Sequence, residues 1–182
     1  MKTLICSLLL LSCLSALPAL AQSLYQVEIM LFSQSGNPLY SAPAPDYNCA
    51  DEANWADGDN TVDLRPVSET LLRMTSEAEK LRRNGSDILL HQAWVQPADA
   101  DLWVAAASGD ALDEVYPAQA LLRLQRERFI ELDATFWRNQ LDYTNRRLVA
   151  SERIREQRRL RLDEVHYFDH QSLGALVRIS LR

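Results

Sequence analysis

Apolar and polar residues alternate along residues 129–137, and this period of two constrains the fold more than any other feature of the chain. The apolar side of the segment consists of Ile130, Leu132, Ala134 and Phe136. The opposite side carries Glu131, Asp133 and Thr135. Because successive side chains of a β-strand point to opposite faces, the pattern predicts a strand with one face in the core. Such a chain must build a sheet whose apolar face is covered by other elements.

Other segments predict further strands and bring their number to about six. Apolar runs or alternation occur at residues 25–32, 88–96, 120–125, 159–162 and 174–181. Residues 99–117 lack such a pattern, and we expect them to form a connection. Residues 146–161 carry seven arginines. Propensity alone allows a charged helix in this segment, whereas the alternation at its end favours a strand there.

One helix is predicted between the first two strands. Ser68 is a suitable N-cap, apolar residues recur at helical spacing after it, and Asn84 and Gly85 provide a C-terminal stop. The order strand, loop, helix, strand favours a right-handed β-α-β crossing in which the helix covers one face of the sheet. The expected fold class is α+β, with a mostly antiparallel sheet of about six strands, one main helix packed on one face and a ferredoxin-like tendency.

Residues 1–21 have the features of a cleavable secretory signal peptide. A positively charged start precedes a short apolar stretch, and Ala19-Leu20-Ala21 has the small-x-small form that signal peptidase accepts. A lipoprotein cleavage site with a lipid on Cys13 is the alternative, although the large Leu11 fits that role poorly. Cleavage after the signal leaves residues 22–182, the length of one domain, with no segment long enough to span a bilayer.

Residues 33–66 are expected to form a long acidic loop, because they combine four prolines, two glycines and many Asp and Asn residues. The carboxylates of this loop lack the ligand spacing of a calcium loop, so no calcium ion is expected. Removal of the signal also removes Cys6 and Cys13, which leaves Cys49 without an intrachain disulfide partner. We expect Cys49 to be partly sheltered in the loop; a reactive thiol or an interchain disulfide is the alternative.

Charge is distributed unevenly along the chain. Residues 22–114 carry 5 basic and 16 acidic side chains, whereas residues 115–182 carry 13 basic and 9 acidic ones. Lys80 is the single lysine after the signal, so nearly all cations are arginines, which hold carboxylates and phosphates bidentately. The overall acidity disfavours a nucleic-acid partner. The C-terminal half can still attract an anionic polymer or an acidic protein surface.

The sequence lacks a recognisable catalytic or metal-binding pattern. On an extended strand His166 and His170 lie about 13 Å apart, at roughly 3.3 Å per residue, which is too far for two ligands of one ion. The chain has no Gly-x-Ser-x-Gly elbow and no glycine-rich phosphate cradle. We therefore expect a protein without enzymatic activity, cofactor or metal. The candidates for sugar stacking are Trp55, Trp94, Trp103, Trp137, Tyr143 and Tyr167, of which Trp94 and Trp137 are expected in the core.

The C-terminal third carries a specific resemblance. Residues 158–170 read RRLRLDEVHYFDH, and residues 173–179 read LGALVRI. Together with the start YQVEI at residues 25–29 and the spacing Leu90-x-x-x-Trp94-x-Gln96, these segments resemble the CsiV family of exported bacterial proteins. Gln171 is a departure, since that family usually has proline there, and the middle of the chain matches weakly.

The resemblance implies a periplasmic, peptidoglycan-associated and non-catalytic protein of a Gram-negative bacterium, which supports cell-wall assembly and cell shape. It also implies work alongside a class A penicillin-binding protein and its lipoprotein activator. The residues that match the family pattern are expected to have structural roles. They are Glu164, His166, Tyr167, Asp169, His170 and Gly174.

The arginine-rich segment is the predicted contact surface for peptidoglycan. Arginine forks can hold the carboxylates of peptidoglycan stems, and an aromatic ring can stack on a sugar. The residues expected to form this surface are Arg155, Arg158, Arg159, Arg161 and Tyr167. The alternative is a protein–protein adaptor, in which the same arginines dock on an acidic patch of a synthase or activator and peptidoglycan is not bound.

Overall fold

The computed structural model of the chain describes residues 23–38, 42, 45, 54–56, 64–99 and 101–182. These ranges contain ten strands and one α-helix. In chain order they are β1 (Leu24–Ser33), β2 (Asn54–Trp55), β3 (Arg65–Pro66), α1 (Thr75–Arg83), β4 (Ile88–Pro97), β5 (Trp103–Ser108), β6 (Ala118–Arg126), β7 (Ile130–Asp142), β8 (Arg147–Leu160), β9 (Val165–Asp169) and β10 (Leu173–Leu181). No helix within the described ranges is long and apolar enough to cross a membrane.

The strands form two five-stranded sheets. Sheet A has the order β3-β4-β1-β10-β9, and sheet B has the order β2-β5-β6-β7-β8. Neighbouring strands are antiparallel in every described pair except β2 with β5. The predicted mostly antiparallel arrangement is therefore confirmed. The single sheet of about six strands and the ferredoxin-like tendency are wrong, because the strands divide into two sheets.

The two sheets pack face to face over one shared apolar core, as in a β-sandwich. Ile29 of β1 and Val177 of β10 contribute to this core from sheet A, and Leu122 and Phe136 contribute from sheet B. Each of these side chains is at most 1% exposed. The residues that the alternation placed in the core, namely Ile130, Leu132, Ala134 and Phe136, are all buried as predicted.

Helix α1 covers the outer face of sheet A, which confirms the prediction of one helix packed on a sheet face. Met30 of β1 packs there with Met74 and Ala78. The helix begins at Thr75, however, and Ser68 does not cap it; Ser68 instead precedes a short 3-10 turn and makes no capping hydrogen bond. A buried carboxylate from sheet A takes the place of a local cap. Glu28 accepts hydrogen bonds from the backbone N–H groups of Arg73 and Met74, both at 2.8 Å.

The predicted β-α-β crossing is wrong, because β1 and β4 are antiparallel neighbours. The register sets Phe32 beside Ile88, so β4 begins at the end of the sheet where β1 finishes. The connection through α1 thus returns the chain to the same end and does not cross the sheet. A right-handed crossover applies only to parallel strands.

Two segments with ambiguous patterns are strands. Residues 99–117, predicted as a connection, contain β5, which lies between β2 and β6. Its residues Val104, Ala105 and Ala106 are all buried, so the segment has no alternation, and alanine has a low strand propensity. The arginine-rich segment forms β8, a strand of 14 residues, along almost its entire length.

Much of the predicted loop at residues 33–66 lies outside the described residues. The described part includes the end of β1 and the short strands β2 and β3. The predicted signal at residues 1–21, with Cys13, also lies outside them, and so do Cys49 and the carboxylates compared with a calcium loop. These assignments stay predictions.

Candidate functional site

Strand β8 divides the predicted arginine surface between its two faces. Arg158 lies on the same side of the strand as the buried residues Ile154 and Leu160, and its guanidinium carbon is 4.7 Å from the centre of the Phe168 ring. Arg155 and Arg159 lie on the opposite side, which is the outer face of sheet B. The predicted residues therefore do not form one continuous surface.

Arg161 and Tyr167 lie apart from the outer face of sheet B. Arg161 follows β8 and forms an exposed ion pair with Glu164 at 3.6 Å. Tyr167 belongs to β9, and because its neighbour Phe168 is buried in the core, Tyr167 lies on the outer face of sheet A. Arg158 reaches Tyr167 only through the main chain, by a long hydrogen bond of 3.4 Å from its Nη1 to the Tyr167 carbonyl.

The outer face of sheet B carries arginines and tryptophans in three successive rows of paired residues. The β7–β8 register sets Arg153 opposite Trp137, and Arg155 opposite Thr135. The β5–β6 register sets Trp103 opposite Arg123, whose guanidinium carbon lies 4.7 Å from the centre of the Trp103 ring. We call this surface the arginine–tryptophan face and define it by Trp103, Arg123, Trp137, Arg153 and Arg155.

Ion pairs neutralise only part of the positive charge around the arginine–tryptophan face. Arg123 pairs with Asp133 at 3.3 Å, and Arg159 pairs with Glu131 at 3.1 Å. Within the described part of the chain, Arg153 and Arg155 have no carboxylate partner. Two residues apart on one strand face, their backbones are about 7 Å from each other. Two cations held this close without a counter-charge form a favourable position for an anion.

Trp137 lies beside these cations and is buried. Its side chain is 7% exposed, and its indole Nε1 has no acceptor among the described residues. The nitrogen atom is itself buried, so a ligand on the surface does not reach this donor. Trp103 remains partly exposed at the β5 end of the face. The accessible part of the face therefore combines arginine cations with the aromatic ring of Trp103.

The residues of the family pattern close the β8–β9 and β9–β10 connections. The Nε2 atom of His166 lies 3.1 Å from both the amide nitrogen and the carbonyl oxygen of Arg161. Gly174 lies opposite Phe32, and a Cβ atom there would approach the Phe32 ring to 2.4 Å. Only glycine leaves room for this ring. The structural roles expected for the family-pattern residues stay predictions.

Asp169 and Tyr167 form a hydrogen-bonded pair on the outer face of sheet A. The Tyr167 hydroxyl donates to Asp169 at 2.6 Å, and Gln34 donates to the same carboxylate oxygen at 3.1 Å. These two hydrogen bonds, led by that from Tyr167, hold the pKa of Asp169 below its ordinary value. Partial burial, together with the same bond to Asp169, raises the pKa of Tyr167. The tyrosine hydroxyl thus stays protonated and fixed at neutral pH.

His170 belongs to a buried polar cluster that joins the two sheets. Its centre is Glu152 of β8, which is fully buried. Glu152 accepts hydrogen bonds from Arg138 of β7 and from the Ser172 hydroxyl in the β9–β10 connection. The His170 Nδ1 atom lies 3.2 Å from the same carboxylate. Because Arg138 and Glu152 belong to sheet B, and His170 and Ser172 to the β9–β10 connection of sheet A, the cluster acts as a clamp between the sheets.

The remaining aromatic candidates have different environments. Trp94 is fully buried in the core, as expected. Trp55 is partly buried, and its ring centre lies 5.5 Å from that of Tyr116. Tyr143 is 51% exposed and donates a hydrogen bond to the carbonyl of Asp110. Neither Trp55 nor Tyr143 adjoins the pair Arg153 and Arg155 in the strand register.

Sequence reasoning missed Arg153, Arg123 and the role of Trp137. The signal was available for Arg153, because every second residue from Ser151 to Arg159 shares one side once the whole segment is taken as a strand. No such signal exists for Arg123 and Trp137. Their place beside β8 depends on the pairing of β6, β7 and β8, which are separated by turns whose lengths do not reveal the register.

Comparison with known proteins gives one result. The family model described as "Peptidoglycan-binding protein, CsiV" matches residues 3–181. No curated protein and no solved structure matches the chain. The match extends far beyond the C-terminal segments that carry the sequence resemblance, and it includes the strands that build both sheets.

Proposed function

The chain belongs to the CsiV family, and from this premise we propose that it binds peptidoglycan through the arginine–tryptophan face. The observation that carries the proposal is the pair Arg153 and Arg155. They form no ion pair among the described residues, on a sheet face that also holds Trp103 and Trp137. The description of the family supports the class of ligand, and the unpaired arginines support the choice of this surface.

The chemistry of the ligand matches this surface. Peptidoglycan stems carry carboxylates, and a guanidinium can bind a carboxylate with two parallel hydrogen bonds. The separation of Arg153 and Arg155 lets one stem engage both side chains. The partly exposed Trp103 offers a ring for a sugar.

The cellular setting is part of the same proposal. We propose that residues 1–21 direct export and that the remaining chain acts in the periplasm as a binding protein without catalytic activity. Its binding supports peptidoglycan assembly and cell shape, together with a class A penicillin-binding protein and its lipoprotein activator. Support comes from the description of the family as peptidoglycan-binding and from the signal-like N-terminus.

Sedimentation with isolated sacculi tests the surface. The double variant Arg153→Glu/Arg155→Glu is compared with Arg146→Glu/Arg147→Glu, which has the same change in charge on two exposed arginines at the start of β8, about 20 Å along the strand from Arg153. We expect the first variant to lose at least about tenfold in affinity, equivalent to roughly 1.4 kcal/mol, and the second to bind within about twofold of the wild type. Circular dichroism and a thermal melt confirm that each variant is folded.

Two results would contradict the proposed surface. Equal losses in both variants would mean that binding follows net charge and not this face. Unchanged binding by a folded Arg153→Glu/Arg155→Glu protein would mean that the ligand lies elsewhere. Both results leave membership of the family untouched, because that rests on the sequence match.

A protein–protein adaptor is the second candidate, and the position of β8 favours it. Among the described strands it is an edge of sheet B, and beyond Ser151, whose carbonyl accepts a hydrogen bond from Ala42, its exposed residues include Arg155, Gln157 and Arg159. An extended acidic segment of a partner can pair with such an edge and meet these arginines. Loss of sacculus binding at physiological salt, with retained capture of a purified synthase or activator, would favour the adaptor over the peptidoglycan-binding protein.

A further inference from the structure

A second concave surface lies on the opposite side of the sandwich, between the C-terminal end of α1 and the outer face of sheet A. Its volume is about 440 Å³. We call it the Tyr167 cleft and define it by six of the residues that line it. They are Phe32, Gln34, Leu81, Asn84, Tyr167 and Leu176.

The aromatic floor of the Tyr167 cleft is held rigidly. Phe32 and Tyr167 have nearly parallel rings, with an interplanar angle of 20° and centres 6.3 Å apart. The Phe32 ring lies directly over Gly174, where a side chain would displace it. The Tyr167 hydroxyl is fixed by Asp169 and Gln34, yet the side chain of Tyr167 is still 45% exposed. The floor is therefore prepared for a ligand before one binds.

Gln34 anchors the polar edge of the cleft. Its Nε2 atom donates to Asp169, to the carbonyl of His170 and to the carbonyl of Leu173. These bonds tie the segment after β1 to the β9–β10 connection. They also explain the position of the family-pattern residue Asp169, because its carboxylate orients both Gln34 and Tyr167.

The lining of the Tyr167 cleft is uncharged. Its described side chains are apolar, aromatic, amide or hydroxyl groups, without an Arg, Lys, Asp or Glu. The apolar part comprises Phe32, Leu81 and Leu176, and the amides of Gln34 and Asn84 lie at the edge. Such a surface suits a neutral ring with one apolar face and hydrogen-bonding groups around it. It offers nothing to balance a carboxylate, in contrast to the arginine–tryptophan face.

We propose that the Tyr167 cleft binds the neutral N-acetylated amino sugars of the glycan strand, an inference that rests on the proposed peptidoglycan binding. The sugar ring stacks on Tyr167 above the floor formed with Phe32, and the acetamido and hydroxyl groups bond to the side-chain amide of Asn84 at the edge. The two surfaces lie on opposite outer faces of the sandwich. The cleft therefore takes uncharged glycan, and the arginine–tryptophan face takes charged stems.

Titration with N-acetylglucosamine tetramer tests this assignment, because this sugar has neither a stem peptide nor a carboxylate. Binding is measured by calorimetry and by amide chemical shifts. We expect wild-type binding, at least about tenfold weaker binding for Tyr167→Ala, and weaker binding for the exposed edge variant Asn84→Ala. Tyr143→Ala, which removes a similarly exposed tyrosine far from the cleft, and Arg153→Glu/Arg155→Glu should both bind like the wild type.

The outcomes separate this inference from the proposed function. Absence of tetramer binding to the wild type overturns the glycan assignment, while sacculus sedimentation of the arginine variants still measures the stem-binding surface. Tetramer binding that survives both Tyr167→Ala and Asn84→Ala, or that disappears in Arg153→Glu/Arg155→Glu, also overturns it. If Tyr167→Ala does not fold, Asn84→Ala alone decides, since Asn84 is exposed and its side chain caps nothing.

Discussion

Substitution of Gly174 by alanine tests the contact that fixes the floor of the Tyr167 cleft. A Cβ atom at this position would lie 2.4 Å from Cζ and 2.7 Å from Cε2 of Phe32. Because carbon atoms prefer separations of about 3.5–4.0 Å, the ring must move by about 1 Å. Such overpacking costs about 1–3 kcal/mol, and removal of a strand glycine returns about 0.5–1 kcal/mol. We expect a net loss of about 1–2 kcal/mol in the free energy of unfolding.

Urea unfolding followed by tryptophan fluorescence measures this loss, and a double-mutant cycle identifies its cause. Phe32→Leu removes the ring that the new methyl group meets. The loss in the free energy of unfolding of Gly174→Ala/Phe32→Leu should therefore be smaller than the sum of the losses of the two single variants, by about 1 kcal/mol. Additive effects, or a Gly174→Ala protein as stable as the wild type, would refute the reasoning that a steric contact with Phe32 requires glycine here.

Three further predictions concern buried polar groups. Glu152→Ala should lower the free energy of unfolding by about 3–5 kcal/mol, because it removes the buried carboxylate that pairs with Arg138. Glu131→Ala should cost at most about 1 kcal/mol, since its ion pair is exposed. Similar losses for the two variants in urea unfolding would contradict the clamp. Burial opposes ionisation of Glu28, but the hydrogen bonds it accepts outweigh burial and hold its pKa below the ordinary 4.5. Its contribution is therefore complete above that value and lost as pH falls through the folded-state pKa, so thermal melts from pH 7 to pH 3 should fall more steeply for the wild type than for Glu28→Gln; parallel curves would argue against it. Gln26→Leu should leave stability unchanged or raise it by about 1 kcal/mol, because both amide atoms of this buried side chain lack partners among the described residues, and a lower urea midpoint would contradict this.

The local elements were largely predictable from the sequence, and their assembly was not. Alternation identified the core residues of β7, and the order of apolar runs identified β1, β4, β6 and β10. Whether these strands join one sheet or two depends on pairings between distant segments, which no local pattern encodes. The start of α1 was missed for a similar reason, since its cap is Glu28, a residue 46 positions before Met74 in the chain.

The candidate site was also predictable only in part, because composition identifies a segment and the strand register decides which residues share a face. An excess of arginine in residues 146–161 directed attention to β8. Composition could not assign Arg155 and Arg158 to opposite faces of that strand, which follows only from its alternation relative to Ile154 and Leu160. Arg123 and Trp103 belong to other strands and reach the face through sheet pairing alone.

Chemical-shift mapping with a soluble muropeptide tests the central claim most directly. The ligand is a disaccharide carrying a stem peptide, prepared with free carboxylates and again with amidated ones. We predict that the free form shifts the backbone amides of Arg153 and Arg155 and the indole N–H of Trp137. The amidated form should shift these signals much less, because the guanidinium partners are lost. Binding of the free form with all three residues unmoved would contradict the arginine–tryptophan face as the site that holds peptidoglycan stems.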